Sequence, residues 1–148
     1  MLNVTAVAQI PNSSLTYSIV GGVDAALFNI NSSTGAVTFK TPPNFEAPSD
    51  VGSNNVYDIV LQASDGAMSS TQSVAITVGN INEVPSITSP AIASTPENVS
   101  TTTAVYTATA TDPDANTTLT YSICGGADAS LFDIKASTGA VTFKATPN

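Results

Sequence analysis

A chain of 148 residues with 11 carboxylates, three lysines and neither arginine nor histidine carries a net charge of −8. Such a surface repels phosphate backbones and anionic lipid headgroups, which argues against nucleic-acid and membrane partners. Charged residues make up only 9 % and apolar residues 42 %, so a core is affordable and its polar covering must come from Ser, Thr, Asn and Gln, which with Val and Ile is a β-favouring mixture.

Taken in chain order, the predicted elements are short strands. The segment "LTYSI" (Leu15–Ile19) alternates, "VDAALF" (Val23–Phe28) is long enough for one helical turn, and "FNI" and "AVTF" flank a turn at Ser33-Thr34-Gly35. "VYDIVLQAS" (Val56–Ser64) and "TQSVAITV" (Thr71–Val78) are longer alternating runs, the period of a strand with one face buried. Gly, Asn, Pro and Ser punctuate at short intervals, and nothing reaches the length of a confident helix. About seven short strands per hundred residues predict an all-β, immunoglobulin-like Greek-key β-sandwich.

The chain then repeats itself. Residues 2–44 align with 106–148 without a gap at an offset of 104, with 25 of 43 pairs identical, including "LTYSI", the Gly pair and all of "STGAVTFK". A period of that length is a whole β-domain rather than a solenoid unit. The predicted organisation is one full repeat plus a truncated second copy: residues 1–80 as a repeat lacking its first strand, 81–85 as a linker, and 86–148 as a second repeat lacking its last strands, those equivalent to Phe45–Val78. A half-sandwich of that kind exposes an apolar face and unpaired edges, the mark of a fragment of a longer repetitive protein or of strands supplied by another chain.

Five polar clusters stand out: "NFE" (Asn44-Phe45-Glu46), "ASDG" (Ala63–Gly66), "NINEVP" (Asn80–Pro85), "PEN" (Pro96-Glu97-Asn98) and "DPD" (Asp112, Asp114). In this order, around a β-pattern, they resemble the cadherin-like tandem repeat of bacterial surface and adhesion proteins. That resemblance implies calcium held where consecutive repeats meet. It assigns as ligands Asn44 and Glu46 (the Asp-x-Glu motif), Asp65 (Ala-x-Asp), Asn80, Asn82 and Glu83 (the linker), Glu97 (Pro-Glu-Asn), and Asp112 with Asp114 (Asp-x-Asp). Asn44 and Asn80 stand where the family has Asp, and Glu83 replaces another Asp, which weakens a site that wants several carboxylates. Calcium itself fits the composition, since it takes six to eight oxygens in irregular geometry. In the first copy Ala8 and Ile10 replace Asp112 and Asp114, as expected where no earlier repeat shares a site. Asp24, Asp50, Asp58, Asp128 and Asp133 read as solvated surface or turn residues.

The lone cysteine, Cys124, forms no intrachain disulfide and replaces Val20 of the first copy, which predicts a small buried hydrophobe. There is no apolar run of membrane-spanning length and no secretory leader within the sequence. Without His, and with one unactivated Cys, neither a nucleophile–base pair nor a zinc site can be assembled, so the expectation is not an enzyme. Asn-x-Ser/Thr sites at Asn3, Asn12, Asn31, Asn98 and Asn116 take glycans only in a setting that glycosylates them. The resemblance places the protein outside the cell, as a calcium-stiffened adhesive module partnered by other copies of the repeat. Two alternatives stay open from the residues alone: a fibre subunit polymerising head-to-tail by strand exchange, and an accessory sandwich that binds surface polysaccharide.

Overall fold

The structure, a computed structural model, describes residues 2–7 and 14–148. Ala8, Ile10 and the sequon at Asn12 lie outside the described residues. The chain divides into two compact units, Met1–Ile81 and Asn82–Asn148. Among the described residues no helix is long and apolar enough to cross a membrane.

The first unit holds two three-stranded antiparallel sheets. One has the order β1 (Leu2–Asn3), β4 (Ala36–Phe39), β3 (Phe28–Ile30); the other β2 (Thr16–Gly21), β5 (Val56–Ser64), β6 (Ser69–Thr77). The alternation read from sequence decides which side chains meet. In β5, Tyr57, Ile59 and Leu61 point inward at 0–2 % exposure, and they pack with Phe28 and Val37 from the other sheet. Phe39, Ile19, Val74 and Ile76 flank that cluster. β5 and β6 pair residue for residue over nine positions, from Val56↔Thr77 to Ser64↔Ser69. The β3–β4 turn is encoded locally: Asn31 Oδ1 accepts the N–H groups of Ser33 and Thr34, both at 3.0 Å, as Asn does in turns. A single 3-10 turn at Ala25–Leu27 falls where one helical turn is predicted.

Two of the acids read as solvated surface or turn residues lie in turns or bends but are buried rather than solvated. Asp24 is 2 % and Asp50 4 % exposed. Asp24 Oδ1 accepts the Val51 N–H and its Oδ2 the Asp58 N–H, each at 2.8 Å. Asp50 accepts from Asn54 and Asn55 at 2.9 and 3.0 Å. The two buried carboxylates are paired with backbone N–H groups of β5 and of the connection leading into it, as buried polar groups must be.

In the second unit, β10 (Phe132–Ile134), β11 (Ala140–Phe143) and β8 (Tyr106–Thr107) form a sheet in the order β10-β11-β8, the counterpart of β3-β4-β1. β7 (Ser86–Ile87) pairs with β9 (Ala110–Thr111). The second "LTYSI" forms no strand: Thr120–Gly125 is irregular, although its first-copy equivalent is β2. The reason is pairing, because β2 is held by β5 and this unit contains no equivalent of β5. Cys124 is exposed, not buried as predicted. Its equivalent Val20 is also 49 % exposed, so the position faces outward in both copies.

Candidate metal centre

In the second unit the acidic residues converge through loop hydrogen bonds. Asp112 Oδ1 accepts the Asp114 N–H at 2.9 Å across the intervening proline, a turn for which Asp-Pro-Asp is suited. Asp114 is 9 % exposed, and its Oδ2 accepts the backbone N–H of Glu83 at 2.9 Å. That bond spans 31 residues and brings the start of the unit onto the Asp-Pro-Asp turn. Carboxylate oxygens of Glu83 and Asp114 lie within 4.8 Å of one another. Asn82 Nδ2 donates to the Glu83 carbonyl at 2.9 Å. Like charges this close repel, and a divalent cation between them relieves that repulsion. The donor set is all oxygen and partly shielded from water, which suits calcium and not zinc.

Thr117 was not singled out in the sequence, yet its Oγ1 donates to the Asp114 carbonyl at 3.1 Å. The signal was present as a hydroxyl three residues after an Asp, a common side-chain-to-backbone spacing. Glu97 is exposed and belongs to a separate segment, anchored where the Asn98 N–H meets the Pro147 carbonyl at 2.8 Å.

In the first unit, Asn44 Oδ1 accepts the Glu46 N–H at 2.8 Å and the Ala47 N–H at 3.3 Å. This turn leaves the Glu46 carboxylate exposed. Asp65 sits at the tip of the β5–β6 hairpin, where its Oδ1 accepts from Ala67 at 3.0 Å and Met68 at 2.7 Å. The N–H groups of Met68 and then Ala67 hold its carboxyl below the usual range, because both bonds favour the charged form. That stabilisation is complete above the ordinary carboxylate range and is lost as pH falls through the lowered value. Asp65 Oδ1 is thus engaged in its own turn. Asn80 is exposed after the end of β6. Of the nine sequence-assigned residues, Glu83, Asp112 and Asp114, with Asn82 beside them, form one connected group. Asn44 and Glu46 share a second turn, and Asp65 and Glu97 stand on separate loops.

No family model matches the chain. Protocadherin Fat 4 of Mus musculus is 30 % identical over 141 residues, 88 % of this chain and 3 % of that protein. The chain therefore spans about 3 % of the length of that curated relative. The crystal structure of human protocadherin-24 EC1-2 superposes with a TM-score of 0.69 at 20 % identity, covering 99 % of this chain and 68 % of that one. The fold is that of cadherin repeats. Drosophila N-cadherin EC1-4 agrees, with a TM-score of 0.69 at 22 % identity over 95 % of this chain and 35 % of that one. In cadherin-like terms, the Asp-Pro-Asp and Asn-Glu-Val-Pro segments that carried the sequence resemblance are the ones joined by the Asp114–Glu83 bond.

Proposed function

We propose that this chain is a calcium-binding segment of an extracellular adhesive protein, in which calcium stiffens the succession of repeats and so supports adhesion or self-association. The observation that carries the reading is the loop cluster of Glu83, Asp112 and Asp114, in which a buried carboxylate, a hydrogen-bonded turn and a second carboxylate meet. Asn44, Glu46, Asp65, Asn80, Asn82 and Glu97 are further ligand candidates on the sequence pattern. The likeness to cadherin repeats supports the same class of function. With amides in place of several carboxylates, affinity falls in the range of extracellular modules, on the order of 0.1–1 mM.

The test is thermal unfolding in about 10 mM calcium against the same buffer with chelator, and separately with magnesium. A ligand present at roughly ten to a hundred times its Kd stabilises by about 1.4–2.7 kcal/mol, which raises the midpoint by roughly 5–20 °C for a unit of this size. Asp112→Asn with Asp114→Asn retains an oxygen for the turn bonds while removing both charges, and it abolishes the shift. Equal midpoints in calcium and chelator, or an equal response to magnesium, would overturn the reading.

A further inference from the structure

The first unit contains an open pocket of about 410 Å³ whose lining residues all fall within 26–49. Leu27, Phe39 and Pro42 give it an apolar wall, and Lys40, Thr41 and Asn44 supply polar groups. Small-molecule sites of roughly 300–1,000 Å³ combine these same two parts, a mostly apolar lining and a few fixed polar groups. The lining is held from several sides. Phe39 lies 4.4 Å from Phe28 between ring centroids and meets Tyr57 edge-on at 5.1 Å. The Lys40 N–H reaches the Leu27 carbonyl at 2.9 Å. Asn44 Oδ1 fixes its own turn through the N–H groups of Glu46 and Ala47, which leaves Asn44 Nδ2 as a donor.

Lys40 is the one cation of Met1–Ile81, a unit with five carboxylates. Among the described residues none of those carboxylates pairs with it. The ion pair that does form is Lys144 Nζ–Asp133 Oδ1, at 3.7 Å, in the other unit. Lys144 and Asp133 stand 104 positions after Lys40 and Asn29. With Asn in place of Asp the first-copy lysine has no carboxylate across the hairpin, and its Nζ donates instead to the Ala26 carbonyl at 2.7 Å. Ala26 also lines the pocket, so this bond anchors the ammonium at the pocket without neutralising it. It occupies one of three ammonium donors. The remaining donors, on an anchored cation beside an apolar wall, suit the oxygens of a carboxylate whose remaining body is apolar.

We propose that this pocket binds a small organic acid, an aryl or short-chain carboxylate. Its anionic head lies on Lys40 and its apolar body against Leu27, Phe39 and Pro42. The ligand supplies the negative charge that Asp133 supplies to Lys144 in the other copy. The unit is acidic overall and does not steer anions from a distance, so contact at Lys40 and along the apolar wall provides the affinity. This chemistry is the reverse of the carboxylate cluster of Glu83, Asp112 and Asp114, which suits a cation.

The experiment titrates sodium benzoate into the intact ¹⁵N-labelled chain at constant ionic strength, read by amide chemical shifts. The expected result is saturable shifts centred on Leu27, Lys40, Thr41 and Asn44, with a Kd of about 1–10 mM, in keeping with a ligand of so few atoms. Acetate has the head without the body, and benzyl alcohol the body without the head; each binds about tenfold or more weakly than benzoate. Lys40→Gln removes the charge and keeps a side-chain N–H donor, and it weakens benzoate binding about tenfold or more. Lys40 is exposed, so this variant keeps the fold. Shifts that fail to saturate by about 50 mM, or that centre elsewhere, would overturn the proposal. So would either control matching benzoate, or a Lys40→Gln chain that binds benzoate as the parent does.

Discussion

Tyr57→Ala lowers the stability of the first unit by about 3–5 kcal/mol, the cost of deleting a fully buried aromatic and leaving its cavity. Its midpoint falls by roughly 12–40 °C at about 4–8 °C per kcal/mol. Tyr57 is 0 % exposed. Its ring meets Phe39 edge-on at 5.1 Å and 84°, and Phe28 at 6.0 Å and 86°, the geometry in which aromatic pairs gain beyond area alone. A unit with the ordinary margin of about 5–15 kcal/mol is left near its threshold. Tyr57→Phe separates packing from polarity. Among the described residues the hydroxyl hydrogen-bonds only with Ser49, at 3.4 and 3.5 Å, and bonds that long are weak, so this variant loses less than about 1 kcal/mol. Denaturant unfolding followed by circular dichroism measures both. A Tyr57→Ala loss no larger than that of Tyr57→Phe would show that the aromatic cluster is not what joins the two sheets.

Asp24→Asn is the second large effect, expected at about 2.5–6 kcal/mol. The substitution preserves shape but turns one of two acceptor oxygens into a donor facing a backbone N–H. A charge-assisted bond of about 1.5–3 kcal/mol is lost, and a buried donor is left unsatisfied at about 1–3 kcal/mol more. The chain supplies its own control. Asp128 is the same residue in the same local sequence, yet exposed, and Asp128→Asn stays within about 0.5 kcal/mol of the parent. Comparable losses in the two variants, measured by thermal unfolding, would refute the assignment of Asp24 as the clamp on β5.

That pair of aspartates also shows where sequence reading stops. Gly-Gly-x-Asp-Ala occurs in both copies, and no local rule tells a buried Asp24 from an exposed Asp128. The difference lies in an N–H group of Asp58, 34 residues away. "LTYSI" behaves likewise, since an alternating run becomes a strand only where another strand pairs with it. What was legible was locally determined. The Asn31 turn, the single 3-10 turn before Phe28 and the Asp-Pro-Asp turn each draw their hydrogen bonds from within a few residues. Cys124 differs from expectation because a Val-to-Cys replacement signals burial only where the Val is itself buried, and Val20 faces solvent. At the candidate metal centre the acids were visible as motifs. The Asp114–Glu83 bond that joins them crosses 31 residues and could be anticipated only through the family resemblance.

The β3–β4 and β10–β11 hairpins carry a consequence for the order in which the chain folds. Their turns have matching bonds: the Gly35 N–H to Asn31 and the Gly139 N–H to Lys135, both at 2.8 Å, and the Lys40 N–H to Leu27 and the Lys144 N–H to Leu131, both at 2.9 Å. They keep this geometry whether or not a β5-like strand lies across them, so its docking is not what shapes them. Contacts of short sequence separation also close fastest, because little loop entropy stands in the way. In pulse-labelled hydrogen exchange, the amides of Gly35 and Lys40 acquire protection before that of Asp58; simultaneous protection would count against this order. The first unit thus grows outward from its β3–β4 turn, and the hairpin bearing Tyr57 closes over a wall that is already standing.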